Sequence, residues 1–333
     1  MPHHDPFALR DLLGDDARLC RRALTGAPGV ALPPLVDHHV HVHLIDEELL
    51  SARGIAGVLD LGGDPTELAR RARAGMPCVA YAGAFLTAPG GYPSGRSWAP
   101  AATVREVSDA SAHPGVAGGA ATAVDEQAAF GASVIKVALN AQAGPVLDSA
   151  AISTIVASAR EHGLPVVAHV EGAGMTAVAI DAGIDALAHT PFTEVLDGSL
   201  IARAVALGQR WISTLDIHRD DPESARIARS NLERFAQAGG VVLYGTDLGN
   251  GDLPVGVNGR ELVALHDAGI SGAALLNTLT DPWPRAERSH AVAVFVPGDP
   301  PTDLDGIPRW LSGATVVPAE ELIDDQESGD DRE

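Results

Sequence analysis

The feature that most constrains the fold is a series of short apolar runs, each closed by a histidine, lysine or aspartate. Leu35-Val36 leads into Asp37-His38-His39-Val40-His41, Ser133-Val134-Ile135 ends at Lys136, and Pro165-Val166-Val167-Ala168 ends at His169. Ile184 to Ala188 ends at His189, and Val241 to Thr246 ends at Asp247. Runs of this length, bounded by turn residues, read as buried β-strands. Three more, Gly57 to Gly62, Cys78 to Phe85 and Arg210 to Leu215, bring the count to eight. The 33 residues from Lys136 to His169 and the 20 from His169 to His189 each leave room for one helix and the next strand. Eight such units predict an α/β chain folded as a (β/α)8 TIM-like barrel, whose functional side chains gather at the C-terminal face. Polar groups of metal-binding type at that face make a binuclear metal site the leading expectation.

The intervening segments support this. After Lys136, Asp148 or Ser149 can cap a helix whose stripe is Ile152, Ile155, Val156 and Ala159, and Gly163 ends it before Pro165 opens the next strand. Residues 89–104, rich in Gly, Pro and Ser and carrying Tyr92, Arg96 and Trp98, read as a long active-site loop. The expected organisation is an N-terminal helix and linker over 1–32, the barrel over 33–285, C-terminal strands over 286–318 and a disordered acidic tail over 319–333. Within the first segment, residues 7–24 read as one amphipathic helix.

Strand alternation points His39 and His41 to the same side, so two imidazoles can grip one ion. Lys136 is followed by Val137-Ala138-Leu139, a costly place for an unpaired ammonium group. Candidate substrate contacts lie just beyond strand ends: Asn140, Glu171, Asp216 and His218, with Tyr92 and Arg96 on the long loop. A net charge of −21 without basic clusters argues against nucleic acid and anionic membrane surfaces as partners. Cys20 and Cys78 are too few and too far apart for a disulfide framework or thiolate metal site. With no signal-peptide pattern or membrane-spanning stretch in the sequence, cytoplasm is the expected location.

Asp-X-His-X-His at Asp37 to His41, Lys136, His169, His189 and Gly-Thr-Asp at Gly245 to Asp247 together resemble the amidohydrolase superfamily, in its binuclear carboxylated-lysine subtype. The segments Gly57-Val58-Leu59-Asp60-Leu61-Gly62-Gly63 and Leu86-Thr87-Ala88-Pro89-Gly90-Gly91 resemble its imidazolonepropionase-like and prolidase-like branch. Two departures stand out. Prolidase-like relatives often continue Gly-Gly-His where this chain has Gly90-Gly91-Tyr92, and family members usually begin with strands of a small β-sandwich, of which only a reduced C-terminal part is expected here.

The resemblance implies two divalent ions, expected to be zinc. His39, His41 and Asp247 would hold one, His169 and His189 the other, with carboxylated Lys136 and a hydroxide between them. It implies hydrolysis of a small molecule's amide bond, in an acyl-amino acid, dipeptide or cyclic amide, with Asp247 as base and then acid. Alternatives are deamination of a nitrogen heterocycle, for which Glu171 near His169 is suggestive, lactone hydrolysis, and a catalytically silent scaffold. The expected partner is the small-molecule substrate; association into a homo-oligomer stays open.

Overall fold

The structure is a computed structural model that describes residues 6–71 and 75–325. Its strands, in chain order, are β1 (Arg18–Arg22), β2 (Pro28–Leu32), β3 (Val36–Val40), β4 (Gly57–Asp60), β5 (Cys78–Tyr81), β6 (Phe85–Thr87), β7 (Val104–Glu106) and β8 (Ile135–Asn140). They continue with β9 (Val166–Glu171), β10 (Ala186–Leu187), β11 (Arg210–Ile212), β12 (Val241–Leu243), β13 (Val292–Pro297), β14 (Thr315–Pro318) and β15 (Leu322–Asp324).

The fold is α/β. One parallel sheet has the order β3-β4-β5 and a second β12-β11-β10-β9-β8-β6-β7, while β14-β13-β2-β1-β15 form an antiparallel sheet. Hydrogen bonds join the three-stranded sheet, at both of its edges, to the seven-stranded one. On one side the His38 amide donates to the Tyr244 carbonyl at 3.0 Å and Val40 bridges Leu248; on the other the Ser133 amide donates to the Tyr81 carbonyl at 2.7 Å. Small and branched side chains from these strands, among them Leu59, Ala80, Val167, Ala186, Ile212 and Leu243, form one buried cluster closed by Trp283. Burying strands on both faces accounts for their near-continuous apolar runs.

Helices occupy the crossovers, and Ser149–Glu161 shows why. The Asp148 carboxylate accepts the Ala151 amide at 2.7 Å as N-cap, Ile152, Ile155, Val156 and Ala159 are buried, and Gly163 takes φ 69° beyond the end. Such a stripe commits one face of the helix to the sheet, which carries the next strand back parallel to the last.

The N-terminal expectation is corrected. The first helix is Pro6–Leu13; Gly14, at φ 94°, ends it, and β1 and β2 follow as strands of the antiparallel sheet. Over residues 6–32 the segment is therefore not a helix and linker, and the flanking sheet takes strands from both the N-terminal and the C-terminal parts of the described chain. The acidic tail is corrected up to Asp325. Its carboxylates pair with the arginines of β1, Arg18 with Asp324 at 2.7 Å, Arg21 with Asp325 at 2.5 Å and Arg22 with Glu321, and β15 zips onto β1. Residues 326–333 lie outside the described residues.

Candidate active site

Strand β3 delivers His39 and, just past its end, His41. Each imidazole donates from Nδ1 to a backbone carbonyl, His39 to Ala188 at 2.8 Å and His41 to Gly62 at 3.0 Å. That anchoring leaves the Nε2 lone pairs directed inward, the tautomer a metal ligand requires. The Nε2 atoms lie 3.2 and 3.3 Å from Asp247 Oδ1, and the three residues offer donor atoms all within 4.8 Å of one another.

Asp37 ties this corner together. Its carboxylate accepts the His39 amide at 3.1 Å, the Thr246 amide at 3.0 Å and the Thr246 hydroxyl at 2.6 Å, linking both ligand-bearing segments. Gly245 permits the approach, since a Cβ there would stand 2.3 Å from Ile212 and 3.1 Å from the His39 nitrogen. Asp247 sits at φ 59° and Thr214, whose hydroxyl meets His189 Nδ1 at 2.9 Å, at φ 44°; among the described residues these are the non-glycine positions with positive φ. Left-handed backbone of this kind costs about 1–3 kcal/mol per residue and persists where surrounding structure enforces it.

A cavity of about 290 Å3 collects His39, His41, Lys136, His169, His189 and Asp247 on one wall, with Tyr92 and Glu171 beside them. Ring centroids of His189 lie 4.7 Å from His39 and 5.0 Å from His169. His169 Nε2 meets Glu171 Oε2 at 3.1 Å, and that oxygen also accepts Asn140 Nδ2 at 2.6 Å, so Asn140 stands behind the wall. Arg96 and His218 do not line the cavity: Arg96 is exposed with its guanidinium 5.8 Å from the Tyr92 ring, and His218 is buried against Phe192 at 4.3 Å. Asp216 is occupied elsewhere, accepting from Arg260 and Asn258. Phe85, Trp98, Phe192, Ile217 and Asn250 also line the cavity; of these, Trp98 lies on the loop read as an active-site loop, and the others had no distinguishing signal in the sequence.

Lys136 is 1% exposed, in the second position of β8, which runs on through Asn140 rather than ending at the lysine. Among the described residues its amine has no ion pair, and burial lowers its pKa to about 7 despite the attraction of Asp247 and Asp60. Burial likewise pushes His39, His169 and His189 below the ordinary histidine range. For His41 burial acts the same way, but Asp247, Asp60 and the Gly62 carbonyl together outweigh it and the pKa rises. Burial would raise Asp247, yet the surrounding imidazoles hold it well below the usual carboxylate range. The cluster thus offers imidazole lone pairs, an anionic carboxylate and a lysine amine readily deprotonated near neutral pH, the donor states that divalent ions need.

Residues 30–272 match the amidohydrolase family. The chain belongs to that family. It is accordingly a hydrolase acting on carbon–nitrogen bonds. None of the curated proteins matches it in sequence. Similar solved structures include a Xaa-Pro dipeptidase with bound methionine in its active site, at 17% identity and TM-score 0.67, covering 88% of this chain and 86% of that one. An ochratoxinase of A. niger aligns at 20% identity and TM-score 0.68 over 87% and 82%. Molinate hydrolase aligns at 15% identity and TM-score 0.62 over 90% and 84%. At these identities the likeness is one of fold.

Proposed function

We propose that this protein hydrolyses the amide bond of a small molecule at a binuclear metal centre held on a (β/α)8 barrel. The barrel reading rests on a three-stranded parallel sheet joined at both of its edges to a seven-stranded one around one apolar cluster. The function rests on one observation above all: His39, His41 and Asp247 converge within 4.8 Å at a cavity that also receives His169, His189 and a buried Lys136 that makes no ion pair among the described residues.

The residues fit the group. His39, His41 and Asp247 would hold one ion, His169 and His189 the other, and Lys136 would join them after its neutral amine takes up carbon dioxide as a carbamate and releases a proton. That conversion turns an awkward buried cation into an anion with two oxygens. Imidazole and carboxylate donors suit zinc. When bound, the ions supply Lewis acidity toward a carbonyl and lower the pKa of a bound water, so that a nucleophile exists near neutral pH.

The chain's own residues do the rest. Asp247, ionised and held between two imidazoles, accepts the proton of the attacking water and returns it to the departing nitrogen, acting as base and then acid. Asn250 donates to Asp247 Oδ2 at 2.8 Å and orients the carboxylate. Asp37 and Thr246 keep the strands that carry these groups in register.

Glu171 on His169 favours a second reading, deamination with one ion at the His39, His41 and Asp247 group. A panel of amides and amino-substituted heterocycles, assayed for free acid and for ammonia before and after chelation, separates the two. Acid release that chelation abolishes and zinc restores is the expected result; ammonia release alone would transfer the assignment to deamination, and unaltered hydrolysis after complete metal removal would overturn both.

A further inference from the structure

Resting on that hydrolase reading, we propose that the substrate is a small uncharged amide with an aromatic or branched apolar arm. The site discriminates against a carboxylate beside the reacting nitrogen. Three features of the cavity carry this.

The first is the set of aromatic rings packed around the candidate ligands. Tyr92 stacks on His169 at 5.0 Å, Trp98 lies 6.0 Å from Tyr92 and 6.2 Å from His41, and Phe192 stands 6.3 Å from His189. Rings therefore flank three of the imidazoles, and Phe85 and Ile217 fill between them. A flat or branched apolar group placed against the reacting centre is desolvated on several sides, which is how such pockets bind.

The second is charge. Among the described residues lining the cavity, Lys136 is the one Lys or Arg, and it is buried among the candidate ligands rather than presented to a substrate. Outside the ligand group, the remaining charged lining residue is Glu171, an acid. Recognition of a carboxylate calls for an arginine fork, a lysine or convergent amide donors. Arg96, on the same loop as Tyr92, does not line the cavity. The whole chain, at −21, repels anions from a distance as well.

The third is size. At about 290 Å3 the cavity stands at the small end of the roughly 300–1,000 Å3 range of small-molecule pockets, which suits a compact substrate.

A matched pair isolates the claim: N-acetyl-2-phenylethylamine and N-acetylphenylalanine, which differ by a carboxylate on the carbon attached to the reacting nitrogen. With zinc-loaded protein, kcat/KM for the neutral amide should exceed that for the acid by ~10-fold or more, the scale on which one misplaced group is discriminated. Binding is read separately by tryptophan fluorescence, with Trp98→Phe to assign the signal, and the neutral member should bind more tightly. Trp98→Ala, checked for folding by circular dichroism, should raise KM for the neutral amide with a smaller change in kcat. Equal or tighter binding of the acid, or failure of the neutral amide to bind, overturns the inference. Tighter binding of the neutral amide without turnover leaves the substrate class standing and counts against the hydrolase reading instead.

Discussion

Replacing Asp247 by Asn separates proton transfer from scaffolding at one residue. Asn retains an oxygen that can occupy the Oδ1 position, 3.2 Å from His39 Nε2 and 3.3 Å from His41 Nε2. The Oδ2 position, which accepts from Asn250 at 2.8 Å, becomes an amide nitrogen, and Asn250 can meet it by turning its own amide oxygen inward. The backbone is equally indifferent, because φ 59° lies in the left-handed region where Asn and Asp are both enriched. What disappears is the proton acceptor. General acid-base contributions of ~10²–10⁴ translate to about 3–5 kcal/mol on the barrier, and the loss should fall on kcat rather than KM. Initial rates on a hydrolysed amide, with metal content of both proteins matched by elemental analysis, give the answer. A kcat within ~10-fold of the parent at matched metal content would refute the proton-shuttle role.

Three further perturbations test neighbouring parts of the account. Lys136→Ala should weaken metal binding by ~10–100-fold and suppress turnover, with partial recovery by added formate or acetate; unchanged activity would remove the lysine from the site. Thr246→Val deletes the 2.6 Å hydroxyl bond to buried Asp37 and should destabilise the fold by about 1.5–3 kcal/mol, read from urea unfolding, whereas no measurable change would mean that Asp37 is held by its amide donors alone. Burial raises the Glu261 carboxyl from 4.5 to about 7, so the native protein keeps a proton that the unfolded chain has released. The stability this contributes is present below pH 4.5, declines as pH rises and is lost above about 7, a difference of about 3 kcal/mol. Glu261→Gln should flatten that part of the pH–stability curve, and an unaltered curve would contradict the assignment.

How much of this was legible in the sequence follows from what each residue must satisfy locally. A strand buried on both faces has few places for a polar side chain besides its end, so His189 and Asp247, just past β10 and β12, marked themselves, whereas β9 runs on two residues beyond His169 to Glu171. The helix Ser149–Glu161 announced its cap and its stripe within thirteen residues. Strand β1 could not be read that way. Its arginines find Glu321, Asp324 and Asp325 some three hundred residues later, so a strand paired on both sides looked like part of a helix and its partners like a solvated tail. The third expected strand is interrupted at Gly83, φ 77°, and splits into β5 and β6, which pair with different sheets. Trp98 was visible as part of an active-site loop, but Phe192 gave no warning, because an aromatic residue in a loop reads the same whether it packs on the core or lines a cavity. Asp37 belonged to a visible motif, but its hydrogen bonds to Thr246 span 209 positions and exist only in the folded chain.

The central claim is a pair of ions bridged at Lys136, and one measurement addresses it most directly. The purified protein, reconstituted with zinc in bicarbonate enriched in carbon-13, can be analysed for metal content and for a carbamate carbon by NMR in the same sample. Two ions per chain with a carbamate signal that vanishes in Lys136→Ala is the result this account predicts. A stoichiometry that stays at one ion per chain after reconstitution, with no carbamate signal, would contradict it.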